Sequence, residues 1–127
     1  AFGHGLSYGA TEWGEPAASA RTIAAGDTVG VRVPVTASGD RDATVVVQGY
    51  VAPVAPAAVR PPKELKSWRK LVVPAGTTED ATLEFGPEAF HHWDTATAGW
   101  LIEPGDYDLV IGASADDEHA RIRITVA

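Results

Sequence analysis

From residue 28 to residue 36 the chain alternates strictly, with Val29, Val31, Val33 and Val35 separated by Gly30, Arg32 and Pro34. A period of two puts all four valines on one face of an extended strand, whereas a helix would scatter them around its axis. The same period returns at Ala81, Leu83 and Phe85, at Tyr107, Leu109, Ile111 and Ala113, and at Ile122, Ile124 and Val126. Residues 43–51, with the β-branched run Val45-Val46-Val47, and residues 66–73, with Trp68, Leu71 and Val73, read as further strands. Only residues 87–94 read as helical, with Pro87 at a first-turn position and room for one or two turns. About seven short strands with almost no helix predict an all-β antiparallel sandwich in which each sheet buries one face against the other.

Local chemistry refines this picture. Pro34 lacks an N–H to donate, which is tolerable mainly on an edge strand or at a bulge, and predicts an edge position. Ser38-Gly39-Asp40-Arg41-Asp42 supplies turn residues and predicts a hairpin between the strands at 28–36 and 43–51. The Pro- and Ala-rich residues 52–62 predict a loop, because proline keeps removing ladder donors. Tyr107, opening a strand after Pro104-Gly105, suits a tyrosine corner whose hydroxyl bonds back to upstream backbone.

A chain of 127 residues with 45% hydrophobic and 21% charged side chains has the size and composition of one folded domain. Its formal net charge of −7 argues against a phosphate backbone as partner. No apolar run approaches the roughly 20 residues a spanning helix needs, so no membrane partner is expected. With no Cys there is no thiolate chemistry, and with no Met the chain is expected to be part of a longer one; its compartment is not legible.

Several phrases, in order, carry a family resemblance. Phe2-Gly3-His4-Gly5-Leu6-Ser7-Tyr8 resembles the opening of the C-terminal fibronectin type III-like domain of family 3 glycoside hydrolases, typified by bacterial β-glucosidases. Val46-Val47-Gln48-Gly49-Tyr50-Val51 is similar to that family's strand ending Gln-Leu-Tyr-Val, and Arg60-Pro61-Pro62-Lys63-Glu64-Leu65-Lys66-Ser67-Trp68 to its Arg-Pro-x-Lys-Glu-Leu-Lys-Gly-Phe. Trp93-Asp94 and Glu103-Pro104-Gly105 match later signatures. The chain departs from the pattern at Gly9 (usually Thr), Gly49 (Leu), Ser67 (Gly) and Trp68 (Phe). The resemblance implies an immunoglobulin/fibronectin type III-like sandwich over residues 1–127, without catalytic residues or cofactor of its own. It further implies a parent enzyme that hydrolyses terminal β-glycosides with retention through a covalent intermediate formed on upstream domains. Residues 1–9 are expected to dock on those domains through Phe2, His4, Leu6 and Tyr8, with Lys63, Glu64, Leu65 and Trp68 extending the contact.

Rival chemistries are weaker. Asp94 and Glu103 flank Trp93 and Trp100 and are the nearest approach to a glycosidase pair, but turn or capping roles account for them. His91 and His92, together with His4, His119 and Asp94, lack the geometry of one metal site, since adjacent helical residues diverge by about 100°. Asp116-Asp117-Glu118 lacks calcium-loop spacing and reads as a solvated hairpin turn. Gly5-Leu6-Ser7-Tyr8-Gly9 matches a nucleophile elbow formally, without the helix that an elbow needs. Of the aromatic residues, Trp68 and Trp93 are the best candidates for exposure. They leave a carbohydrate-binding module as the alternative, beside a cell-surface or protein-interaction sandwich.

Overall fold

The computed structural model describes residues 10–54 and 63–127 and forms a two-sheet β-sandwich. Its strands are β1 (Thr11–Trp13), β2 (Ala17–Ala18), β3 (Thr22–Ile23), β4 (Val29–Ala37), β5 (Ala43–Pro53), β6 (Glu64–Val73), β7 (Thr78–Phe85), β8 (His91–Asp94), β9 (Gly99–Ile102), β10 (Gly105–Ser114) and β11 (Asp117–Val126). Among the described residues eleven strands form rather than about seven; six have eight residues or more and carry the alternation, and the rest are too short to show a period. One sheet contains β1, β2, β4 and β7. The other runs β3-β11-β10-β5-β6, with β3 parallel to β11, and β8-β9 stands apart as a two-stranded hairpin.

The valines of β4 face Ala81, Leu83 and Phe85 of β7 within one sheet and, across the core, Val45, Val47, Leu109, Ile111, Ile122 and Ile124 of the other. Burying such side chains stabilises the fold by about 1.5–3 kcal/mol each before chain entropy is counted. Gly49 also faces inward. A Cβ there would meet Phe85 Cζ at 2.5 Å and Leu83 Cδ1 at 3.0 Å, so the Phe85 ring occupies the volume that a side chain at position 49 would fill. One flank of the sandwich is closed by Arg69 of β6 donating to the Thr82 carbonyl of β7 at 3.3 Å. On the opposite flank the Trp13 ring stacks on His119, with centroids 3.9 Å apart.

Three local expectations are overturned. The strands β4 and β5 do not form a hairpin: β4 pairs with β1, β2 and β7, and β5 with β6 and β10, so residues 38–42 arch from one sheet to the other. Turn chemistry fits both connections. What separates them is that β5 is buried on both faces, with Val46, Gln48 and Tyr50 covered on the outer side, and so belongs inside a sheet.

Pro34, expected at an edge, lies in an interior strand with β7 on one side and β1 and β2 on the other. Between Trp13↔Val35 and Ala17↔Arg32 the facing chain takes four steps against three, a one-residue bulge. The missing N–H of Pro34 points into that break, on the side where Gly14 N donates to the Pro34 carbonyl at 2.8 Å. A Cβ on Gly14 would lie 2.6 Å from Pro34 Cγ, so this close approach requires glycine.

Residues 87–94 are not a helix. A single 3-10 turn covers Pro87–Ala89, and His91 to Asp94 pair with Ile102 to Gly99. Phe90 between them is buried and packs edge-on against Tyr107, with centroids 5.3 Å apart, anchoring the hairpin to the core. The tyrosine corner forms as expected: Tyr107 Oη donates to the Glu103 carbonyl at 2.6 Å.

Candidate interaction surface

The β8-β9 hairpin gathers aromatic residues on one face. Because Trp93 pairs with Trp100 and His91 with Ile102, these four side chains share a side of the ribbon, while His92 and Leu101 share the other. Trp93 and Trp100 meet edge to face, 5.4 Å between centroids at 81°. The His91 ring stacks on Trp100 at 4.4 Å and 20°. Trp93 is 50% exposed and Trp100 61%, with Leu101 also exposed behind them. The expected exposure of Trp93 holds, and Trp100 joins it. Its pairing was hidden because residues 91–94 read as helix; the signal present was a Trp on each side of a short Asp-Thr-Ala-Thr-Ala-Gly connection.

Trp68, 58% exposed, projects from the outer face of β6 opposite Gln48, on a different sheet from Trp93. The two candidate saccharide contacts therefore do not form one platform.

Lys63 is engaged within the chain. Its Nζ donates to the Ala115 carbonyl at 2.7 Å and to Glu118 Oε1 at 3.0 Å, and lies 5.3 Å from the centroid of the Tyr50 ring. Glu118 also accepts two hydrogen bonds from Arg121, at 2.9 Å each. The Arg121 bonds, followed by the Lys63 bond, hold its carboxyl down at about 2. The turn after β10 thus forms as expected, but Glu118 is part of an ion cluster rather than simply solvated. Leu65 packs against buried Tyr50, Ala52 and Val110 on the outer face of the five-stranded sheet, and Glu64 pairs with Lys66 at 3.6 Å. Tyr50 Oη donates to Gln48 Oε1 at 2.6 Å; burial, then the charge of Asp116, pushes the Tyr50 hydroxyl pKa up.

Phe2, His4, Leu6, Tyr8 and the Ser7 motif lie outside the described residues. Among the described residues no group of three or more His, Asp or Glu is placed to hold a metal ion. Residues 91 and 92 diverge because a strand sends neighbours to opposite faces, not because a helix turns them by 100°. His119 is instead stacked on Trp13, 3.6 Å from Asp117. Glu103 serves the corner through its carbonyl, and the backbone of Asp94 pairs with Gly99.

Residues 45–115 match the fibronectin type III-like domain model. The chain is 37% identical over 123 residues to a β-glucosidase of Rhizobium radiobacter, covering 97% of this chain and 15% of that protein. It is 36% identical over 116 residues to an exo-α-(1→6)-L-arabinopyranosidase of Bifidobacterium breve, covering 91% and 15%. The fold superposes on a GH3 β-glucosidase of Bifidobacterium adolescentis with a TM-score of 0.88 and 34% identity, covering 98% of this chain and 18% of that one. The chain therefore spans about one sixth of the length of the proteins it matches.

Proposed function

Because the chain belongs to the fibronectin type III-like domain family, we propose that it is the non-catalytic accessory domain of a family 3 glycoside hydrolase, packing on and stabilising the domains that carry the reaction. The observation that carries this reading is the pairing of near-complete coverage of the chain with about 15% coverage of enzymes named for different glycosides. A unit shared across such enzymes fits a scaffold role better than the choice of sugar, which resides in pocket contacts. The parent would then hydrolyse terminal glycosides with retention on its other domains. Residues 1–9 and the segment from Lys63 to Trp68 are the proposed interdomain contact. Within that segment Trp68 is the most exposed side chain, at 58%.

The test compares the full parent polypeptide with a version lacking these residues, assayed on aryl β-glucosides and β-xylosides and by thermal melting. Hydrolysis by the full chain and a lowered melting temperature in the shortened one support the accessory role. Unchanged melting and kinetics overturn it. Exposed Trp68 and Trp93 favour saccharide binding as the second reading. Tryptophan fluorescence that stays flat across a panel of glucans and xylans removes it.

A further inference from the structure

We propose that the His91, Trp93 and Trp100 face of the β8-β9 hairpin seats a cationic side chain, arginine or lysine, presented by the remainder of the parent polypeptide. The inference rests on the accessory-domain reading, because it takes its occupant from the same chain.

Three observations lead there. The first is shape. The two indoles stand at 81° in edge-to-face contact rather than in a shared plane, with His91 stacked on Trp100. A pyranose lies best along coplanar rings, whereas a guanidinium or ammonium needs only one open π face within about 6 Å of its centroid.

The second is charge. Between Leu71 and Ala120 the sequence carries eleven Asp or Glu and no Lys or Arg; Asp80, Asp106, Asp108 and Glu118 meet Arg or Lys from outside the stretch, and the stretch remains acidic overall. An exposed aromatic cluster in an acidic stretch complements a basic partner surface and repels an acidic one.

The third is support. A two-stranded ribbon outside both sheets is marginal in water by itself. This one leaves Trp93, Trp100 and Leu101 about half open. In the enzymes it resembles, some five sixths of the chain lies outside the matched region, ample surface to cover such a patch.

The experiment is oxidative footprinting of the full parent polypeptide, reading Trp93 and Trp100 by mass spectrometry against the same peptides in the unfolded chain. Open indoles should react at roughly half the unfolded rate, in proportion to their exposure, and seated ones at about a tenth or less. Protection without added sugar is the expected result. Protection that appears only with added glucose or laminaribiose overturns the polypeptide occupant in favour of a saccharide. As a second readout, Trp100→Leu should lower the melting temperature of the full chain and Trp100→Phe should restore most of the loss; equal effects argue against a π contact. If deleting the domain destabilises the parent while both tryptophans react at the open rate, this inference fails and the accessory reading stands. If they are protected but deletion changes nothing, the contact stands without a stabilising role.

Discussion

Replacing Gly49 with alanine tests the packing between the sheets. The added methyl would lie 2.5 Å from Phe85 Cζ, 3.1 Å from Cε2 and 3.0 Å from Leu83 Cδ1. Carbon atoms rest about 3.5–4.0 Å apart, so the Phe85 ring must retreat by about 1 Å or more. It is fully buried and has no solvent to retreat into. Overpacking of this kind costs about 1–3 kcal/mol. Alanine also removes backbone freedom from the unfolded chain, which offsets about 0.5–1 kcal/mol. The net expectation is a loss of about 0.5–2 kcal/mol, or about 2–8 °C in Tm for a chain of this length. Phe85→Leu alone should destabilise through lost burial. In its background, Gly49→Ala should become neutral or stabilising, a coupling of about 1–2 kcal/mol between the two sites. Denaturant melts of the four variants supply the cycle. Additive effects, or a stabilising Gly49→Ala in the native background, would refute the claim that Phe85 holds the space of a side chain at position 49.

Two further outcomes follow from the corner and from the ion cluster. Tyr107→Phe deletes the 2.6 Å bond to the Glu103 carbonyl while leaving the ring against Phe90, and should cost about 1–2 kcal/mol in chemical denaturation; no loss would deny the corner its structural role. The Glu118 carboxyl is held at about 2 by Arg121 and Lys63, below its unfolded value, so its contribution is present above about pH 4.5 and drains away as the pH falls towards 2. Because the pair is part-exposed and screened, we expect less than about 1 kcal/mol, visible as a shallower acid limb in Glu118→Gln than in the parent sequence. Parallel stability profiles from pH 5 to about pH 2 would contradict it.

The long strands were legible because each buries one face: Val29 to Val35, Ala81 to Phe85 and Ile122 to Val126 all point inward as alternation demands. Tyr107 was legible because its corner is local chemistry. The arch at residues 38–42 was not, since its turn residues suit a hairpin equally well and the choice depends on the distant strands β7, β6 and β10. Pro34 by itself points to an edge because the bulge that tolerates it belongs to another strand, at Gly14 to Pro16. The four residues of β8 are too few to show a period, so Pro87 and the absence of β-branched residues suggested a helix where Trp100 supplies a strand partner. The exposure of Trp93 was expected, but its perpendicular setting against Trp100 depends on that pairing.

Strand β11 lies between β3 and β10, and Ala127 N still donates to the Ile23 carbonyl. Among the described residues β3, one of the first strands in the sequence, pairs with β11 alone. During synthesis the five-stranded sheet cannot close before residues 117–126 have left the ribosome, and until then β10 shows an open edge. A stop within those ten residues would therefore leave the sandwich of this domain unsealed, with β3 and β10 both missing the strand that joins them.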